Sequence, residues 1–412
     1  MTSRQRVLAS LNHQEPDRVP FDIGSTPSSG ISAIAYTNLK KYIGMTGGHT
    51  RVYDVVQQVA QPEDEFINRF GIDVVDIGRA FNDKDEDWYD VQLADGSTAQ
   101  FPVWFKPEHQ SDGSFIFRDE DGDKLAMMPA GGTFYDQTYF PYVDDFPDNY
   151  DNLDEMMNKV LWQRLAHSPW DSAHNPDFYE TLRKKALHLR ETTDKALMIV
   201  CGCNLFEWGT FLRRFDNFLM DIYSEQDEVE KLLSELMIRH MATLEKVCQA
   251  VGDVADVLRF GDDLGMNTNA FMSNDIYRKV FKPHHTKLCD YVHKNSQMKT
   301  FIHCCGSIRM LLPDLIEAGY DIINPVQTSA YDMDPVDLKR DFGRDLTFWG
   351  GGCDTRSVLN RGTPEEVYDF TTRRIEVLMP GGGFIFNTEH NILPDVPPEN
   401  IVAMHKAIMD YK

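Results

Sequence analysis

The feature that most constrains the fold is a regular rhythm in the second half of the chain. Short runs of apolar, largely β-branched and aromatic residues end in Gly, Asn, Asp, Cys or His, and a longer amphipathic stretch follows each run. Strands that are apolar throughout are typical of a parallel sheet buried on both faces, and the amphipathic stretches between them are typical of helices. The runs span residues 196–204, 256–265, 299–306, 320–327, 346–354 and 383–391.

Two earlier segments, RVPFDIG at 18–24 and GIDVVDIG at 71–78, are further strand candidates and bring the number of β units to eight. Eight alternating units predict an α/β fold, a (β/α)8 TIM barrel, with a doubly wound open sheet as the alternative. The segment 363–366, Thr-Pro-Glu-Glu, has the form of a capping box with Pro at the first helical position. Pro283 should kink or split the helix predicted after Ser273.

The pattern changes between residues 88 and 145, where apolar and polar residues alternate. Asp-Gly pairs at 95–96, 112–113 and 121–122 are turn signals, so an antiparallel β-hairpin region is predicted as an insertion after the second strand. This insertion is a lid, an oligomer contact or a decoration without a role. No repeat or linker divides the chain, and we therefore expect residues 1–412 to form a single TIM-barrel domain that contains the 88–145 insertion.

Composition excludes several classes of partner. Asp and Glu number 65 against 41 Lys and Arg, so the formal net charge is −24. Nucleic acids and anionic membranes attract basic surfaces, and neither is expected to bind this chain. There is no apolar run of about 18 residues to span a membrane, and the first 20 residues lack the pattern of a signal peptide. These features predict a cytoplasmic protein; the oligomeric state is left open.

The cysteines are distributed unevenly. All seven occur from Cys201 onward, and an odd number in a reducing compartment makes a disulfide framework an unfavourable interpretation. Four of them lie within apolar strand or helix patterns and are predicted to be core residues: Cys201, Cys203, Cys248 and Cys289. The remaining three lie beside glycines, which directs attention to metal or thiolate chemistry.

Polar residues gather at the predicted strand ends. In a TIM barrel the carboxyl ends of the strands surround the active site, so these side chains are expected around one mouth. The set comprises Asp22, Asp76, Cys203, Asn204, Glu207, Asp262, Asp263, His303, Cys304, Cys305, Asn324, Gln327, Cys353, Asp354, Glu389 and His390.

His303 and Cys305 are predicted to ligate a metal. Alternate residues of a strand point to the same side, so both side chains face the mouth while Cys304 turns away. Imidazole and thiolate suit Zn²⁺, and catalytic sites combine three protein ligands with an open position. Cys353 or His390 would be the third ligand. In the alternative interpretation, Cys353 fills space and His390 is a general acid or a substrate donor.

Three carboxylates are candidates for catalytic roles. Asp262 and Asp263 would act as a general base, a substrate clamp or an orienter of a metal-bound histidine; alternatively they cap the following segment. Glu207 is either a site carboxylate or a first-turn residue favoured by the helix dipole. The aromatic residues nearby would form a wall of the site or simply pack in the core: Trp208, Phe348 and Trp349.

The chain resembles the uroporphyrinogen decarboxylase superfamily, from the opening RVLASLNHQEPDRVPFDIG to the closing GGGFIFNTEHNILPDVPPENI. The resemblance implies a TIM barrel and one of two chemistries. True decarboxylases of the family carry an arginine-bearing loop that binds the porphyrin carboxylates. No arginine occurs here between Arg18 and Arg51, so porphyrinogen decarboxylation is not expected.

The other branch of the family comprises zinc-dependent methyltransferases that work with corrinoid proteins, and His303 and Cys305 match its His-x-Cys pair. The third ligand falls on His390 rather than on a Cys, while Cys353 offers a sulfur one strand earlier. The resemblance therefore implies Zn²⁺, a corrinoid carried by a partner protein, and methyl transfer to or from a small methylated substrate such as a methoxylated aromatic or a methylamine.

Alternative functions remain open at this point. One is a metal-independent decarboxylase or lyase of the family's other type. Another is transfer between a methylcorrinoid and tetrahydrofolate or a thiol. A cobalamin or tetrapyrrole carrier is disfavoured, because the chain lacks the Asp-x-His-x-x-Gly signature of cobalamin carriers.

Overall fold

A computed structural model, which describes residues 1–411, contains a curled sheet of seven parallel strands. Strands that are consecutive in this series are neighbours in the sheet, as the alternating strand–helix rhythm predicts. The strands are Val74–Asp76, Ala196–Gly202, Val257–Gly261, Lys299–His303, Ile322–Asn324, Thr347–Trp349 and Phe384–Ile385.

The predicted first β unit, residues 18–24, lies between the two edge strands of this sheet. Phe21 forms a parallel bridge with Phe386, and the Asp22 amide donates to the Phe386 carbonyl at 2.9 Å. On the other side the Asp73 amide donates to the Phe21 carbonyl at 2.8 Å. The eight predicted units thus become seven strands and one bridging segment, in a TIM-barrel-like α/β fold.

The barrel interior is filled by one compact apolar cluster. It contains one or two side chains from each of the seven strands, together with Val7 and Leu11 from the first helix, Ser3–Leu11. Val257 and Phe301 are fully buried members of this cluster. Because alternate residues of a strand face the same side, the odd-numbered residues of these two strands, including His303, face the barrel interior.

The helices surround the sheet. The Thr363 hydroxyl accepts from the Glu366 amide at 3.3 Å, and the Glu366 carboxylate accepts from the Thr363 amide at 2.7 Å, which confirms the predicted capping box. The helix that begins after Ser273 is interrupted by a π turn at Tyr277–Phe281, just before Pro283. The α-helices span Ser3–Leu11, Ala33–Tyr42, Asp64–Phe70, Leu153–Asn158, Leu161–Arg164, Phe178–Thr192, Phe206–Arg213, Phe215–Ser224, Gln226–Val251, Asn274–Ile276, Lys282–Asn295, Leu312–Ala318, Pro335–Phe342, Pro364–Leu378 and Pro398–Asp410.

None of the helices within residues 1–411 combines the length and the apolar character needed to cross a membrane.

Antiparallel strands occupy much of the predicted insertion. Trp88–Gln92 pairs with Thr98–Pro102, and a four-stranded sheet comprises Glu108–His109, Phe115–Arg118, Lys124–Met128 and Asp136–Gln137. The glycines of the three Asp-Gly pairs all have positive φ, between 82° and 87°, which is the turn conformation that the pairs predict.

A small sheet of Ile31–Ser32, Val52–Asp54 and Val59–Ala60 lies outside this region. No sequence pattern predicts it, because strands of two or three residues are too short to show alternation.

Candidate metal centre

Three of the predicted ligands lie together at the mouth of the barrel: His303, Cys305 and His390. Their ligand atoms are all within 4.8 Å of one another, and within residues 1–411 no other group of three or more His, Cys, Asp and Glu side chains forms such a candidate metal site. Cys305 Sγ lies 3.4 Å from His303 Nε2, and the two imidazole rings have centroids 5.8 Å apart. The two strand ends therefore bring two nitrogens and one sulfur to a common point.

Asn324 orients the first of these imidazoles. His303 Nδ1 lies 2.7 Å from Asn324 Oδ1, while Asn324 Nδ2 donates to the Trp349 carbonyl at 2.8 Å. Because the amide nitrogen is committed to that carbonyl, the oxygen must face the ring and accept a proton from Nδ1. The lone pair of His303 Nε2 is consequently left for the cluster, as is usual for histidines that bind metals.

The other two members of the cluster are held in a similar way. His390 Nδ1 lies 2.9 Å from Asn391 Oδ1, which directs its Nε2 to the cluster. The loop that carries Cys305 is anchored by its own backbone amide, which donates to Asp263 Oδ1 at 2.7 Å. Asp263 thus acts on the cluster through the position of Cys305.

Protonation states in the cluster follow from burial. Desolvation, followed by the positive charge of Arg259, lowers the pKa of His303 to about 3, and desolvation also lowers the pKa of His390. Both imidazoles are therefore neutral near pH 7, the form in which histidine binds metals. Burial and the Asp263 carboxylate raise the pKa of the Cys305 thiol. A bound cation reverses that shift, because a coordinating thiol loses its proton.

The donor set fits the metal that the resemblance implies. Two neutral imidazoles and one thiolate are a Zn²⁺ ligand set, and three protein ligands leave a coordination position open for a substrate or water.

Cys353 lies outside this cluster. Its side chain is fully buried beside Thr371, and burial raises the pKa of its thiol. Its backbone carbonyl accepts from the Glu389 amide at 3.0 Å, which ties the loop to the last strand. Of the two candidates for a third ligand, the structure brings His390 to His303 and Cys305, and it does not bring Cys353.

Glu207 lies near the cluster, and the pKa of its carboxyl group is raised. Burial, followed by the negative charges of Asp263 and Asp262, raises the pKa of Glu207 to about 8. Its carboxyl group accepts hydrogen bonds from the Asn204 side chain and from the Asp263 amide, the latter at 3.3 Å. At neutral pH this group is therefore a carboxylic acid with a proton to give.

Asp262 is fully buried and supports the structure around the site. Its oxygens accept from the backbone amides of residues 205, 206 and 207 at 3.2, 3.0 and 2.9 Å, at the start of the helix Phe206–Arg213. His285 Nε2 lies 3.2 Å from the same carboxylate. Asp262 thus caps the helix that carries Glu207, while its neighbour Asp263 accepts from the backbone amide of Cys305.

The predicted aromatic wall consists of buried residues. Trp349 and Phe348 are fully buried, and Trp208 is nearly so. Trp349 belongs to the interior cluster, and its Nε1 donates to Asp22 at 2.9 Å. Packing in the core, rather than contact with a ligand, accounts for these rings.

Arg259 is a site residue that no sequence pattern singled out. It lies on the strand Val257–Gly261 and faces the barrel interior, because Val257 on the same side belongs to the interior cluster. It is the only charged residue in that strand, VLRFG. A lone charge in an otherwise apolar strand is the signal that would have found it.

The comparisons with known proteins agree with this architecture. A family model described as "Uroporphyrinogen decarboxylase (URO-D)" matches residues 203–411, half of the chain. No curated protein sequence matches the chain. A solved methyltransferase from Methanosarcina mazei is similar over 100% of this chain and 99% of its own, with 14% identity and a TM-score of 0.58, which shows a common fold.

A B12-independent methionine synthase from Shewanella sp. W3-18-1 is similar over 83% of this chain and 84% of its own, with 12% identity and a TM-score of 0.34.

Proposed function

Because this chain belongs to the uroporphyrinogen decarboxylase family, we propose that it is the family's zinc-dependent, corrinoid-linked kind of methyltransferase. It would move a methyl group between a small methylated substrate, such as a methoxylated aromatic or a methylamine, and a corrinoid carried by a separate protein. The observation that carries the proposal is the cluster of His303, Cys305 and His390, with its ligand atoms within 4.8 Å of one another. The overall likeness to a methyltransferase fold supports it.

His303 Nε2, Cys305 Sγ and His390 Nε2 would hold the zinc. When bound, Zn²⁺ supplies Lewis-acid polarisation of the heteroatom that carries the methyl group, or stabilises a thiolate acceptor. Asn324 and Asn391 fix the two imidazoles so that Nε2 is available, and Asp263 fixes the backbone of Cys305.

Glu207 would donate the proton that the leaving oxygen takes up. Transfer of a methyl group from an ether oxygen to a nucleophile leaves the electron pair of the broken C–O bond on oxygen, which then takes a proton. The carboxylic acid of Glu207 holds its proton at neutral pH, because burial and the adjacent carboxylates raise its pKa to about 8. Glu207 is thus the general acid, and Asp262 positions it by capping its helix.

The rival function is a metal-independent lyase. A lyase of this kind would need cationic groups to bind a carboxylated substrate, but it would not need two oriented imidazoles beside a thiol.

We also propose that the protein is cytoplasmic, where its seven free cysteines would remain reduced.

Methyl transfer tests the proposal directly. The purified protein, loaded with zinc or treated with a chelator, is incubated with cob(I)alamin and a panel of methoxylated aromatics and methylamines. Formation of methylcobalamin that requires zinc, and that His303→Ala abolishes, is the expected result.

Incubation of the zinc-loaded protein with methylcobalamin and a thiol or tetrahydrofolate as methyl acceptor tests methyl transfer in the reverse direction. Zinc-independent turnover, or no transfer in either direction with zinc bound, would contradict the proposal.

A further inference from the structure

Arg259 carries a positive charge inside the barrel without a partner for it. Within residues 1–411 its side chain makes no hydrogen bond and no ion pair within 4.0 Å, and its Nε is buried without an acceptor. Arg6 and Arg213, which are more deeply buried than Arg259, each form hydrogen bonds from two guanidinium nitrogens to one aspartate. An unpartnered buried donor is costly for a folded protein, so a ligand that completes Arg259 is the natural explanation.

The position of Arg259 places that ligand beside the metal centre. Arg259 pairs with Phe301 in the parallel ladder, two residues before His303 on the neighbouring strand. Its charge is close enough to shift the pKa of both His303 and His390, and it interacts electrostatically with Cys305. A small molecule with an anionic group bound to Arg259 could therefore reach the cluster with its other end.

The nearby acidic groups leave this charge available. The Glu207 carboxyl group accepts from the Asn204 side chain and the Asp263 amide, and neither of its oxygens lies within 4.0 Å of the guanidinium. One oxygen of Asp263 is occupied by the Cys305 amide, and neither of its oxygens lies within 4.0 Å of Arg259. Because the nearby Asp263 carboxylate repels anions, it disfavours a dianion such as phosphate more than a monoanion.

A second donor without an acceptor lies near Arg259. The Tyr53 hydroxyl is buried and has no hydrogen-bond partner, and Tyr53 and Arg259 interact electrostatically. A carboxylate offers two oxygens, which match a guanidinium together with one hydroxyl. A permanent cation such as a quaternary methylamine would instead meet the positive charge of Arg259.

We propose that Arg259, assisted by the Tyr53 hydroxyl, binds the carboxylate of a small monoanionic substrate close to the His303–Cys305–His390 cluster. Resting on the function proposed above, this makes the methyl donor a methylated carboxylic acid, such as a methoxybenzoate, rather than a neutral ether or a methylamine.

Binding of benzoate and benzamide tests this without any methyl transfer. The two probes have nearly the same shape, and only benzoate is charged. Calorimetric titration of the wild-type protein should show benzoate binding about tenfold to a hundredfold more tightly, as hydrogen bonds to charged groups imply. Equal affinities, or no binding of either probe at millimolar concentration, would overturn the proposal.

Variants locate the anion. Arg259→Gln should remove the preference for benzoate and leave benzamide binding unchanged, while Arg259→Lys should keep part of it. Tyr53→Phe should weaken benzoate binding by about three- to tenfold, as loss of a neutral hydrogen bond implies. Arg183, which pairs with Asp253 at the surface, provides the matched control Arg183→Gln, and this variant should behave as wild type. A preference that survives Arg259→Gln contradicts the assignment.

Chelation separates binding to Arg259 from binding to a metal. The preference for benzoate should persist in chelator-treated protein; its disappearance would mean that the carboxylate binds the metal, and the proposal would fail. If the preference is found but no methyl transfer occurs, the proposed function fails while this site stands. If methoxybenzoate and methoxybenzene donate methyl groups equally well, and Arg259→Gln changes neither, the function stands and this site does not.

Discussion

Two glycine-flanked cysteines at the tips of parallel strands have opposite environments in this protein. Cys305 is partly exposed, anchored through its amide by Asp263 and 3.4 Å from a histidine nitrogen. Cys353 is fully buried beside Thr371. Both occur at positions where a barrel places its functional groups. Location at a strand end therefore does not by itself bring a thiol into the cluster with His303 and His390.

The largest expected difference between the two cysteines is in catalysis. Cys305→Ser removes the sulfur ligand of the proposed centre and should reduce methyl transfer to the background rate. Cys353→Ser should keep activity within about an order of magnitude of wild type, with any loss following the folded fraction. Methylcobalamin formation at equal concentrations of folded protein measures this. Equal losses in the two variants would remove the functional contrast.

The second contrast concerns one neighbouring side chain at each location: Asn324, which orients His303 in the cluster that contains Cys305, and Thr371, which lies beside Cys353. Asn324→Ala frees the His303 ring and should weaken zinc binding by about 10- to 100-fold, the usual cost of losing a group that orients a ligand. Thr371→Val, beside Cys353, should leave zinc affinity unchanged. Competition with a chromogenic zinc chelator gives both affinities. A large effect of Thr371→Val on zinc affinity would indicate that Cys353 contributes to the metal centre.

The third contrast concerns stability. Cys353→Ser puts a hydroxyl in a fully buried site and should lower the free energy of unfolding by about 1–3 kcal/mol. Cys305→Ser, at a partly exposed site, should lower it by less when both proteins are metal-free. Urea denaturation after chelation measures this, and a greater loss for Cys305→Ser would contradict the burial difference.

The last expected effect concerns pH. The pKa of Glu207 is about 8 in the folded, metal-free protein, above the ordinary value of 4.5. The folded state therefore holds a proton that the unfolded state has released, and stability falls as pH rises from about 4.5 to 8.

Glu207→Gln should remove that part of the pH dependence. Thermal midpoints of the metal-free wild type and variant, measured across this range, test the sign. A difference between the two proteins that does not change with pH would contradict the raised pKa.

The sequence predicts the barrel well because parallel buried strands appear as continuous apolar runs. Seven of the eight predicted units are strands, and residues 18–24 bridge the two edge strands with only a single ladder bridge. That irregularity depends on contacts with Phe386 and Asp73, which no local pattern records.

The site is predicted less completely, for a physical reason. Alternation along a strand indicates that His303 and Cys305 face the same side, but it cannot choose between His390 and Cys353, whose orientations depend on distant partners. Adjacent Asp262 and Asp263 similarly serve different purposes, one as a helix cap and one as a loop anchor. The sequence marks Arg259 only as a lone charge in an apolar strand; that its side chain has no hydrogen-bond partner in the described part of the chain is visible only in the tertiary structure.

Elemental analysis of His390→Gln and Cys353→Ser, purified in parallel with wild type, tests the central claim most directly. We expect about one zinc per chain in the wild type and in Cys353→Ser, and loss of zinc in His390→Gln. Zinc retained by His390→Gln but lost from Cys353→Ser, or wild-type protein with well under one zinc per chain, would contradict the proposed metal centre.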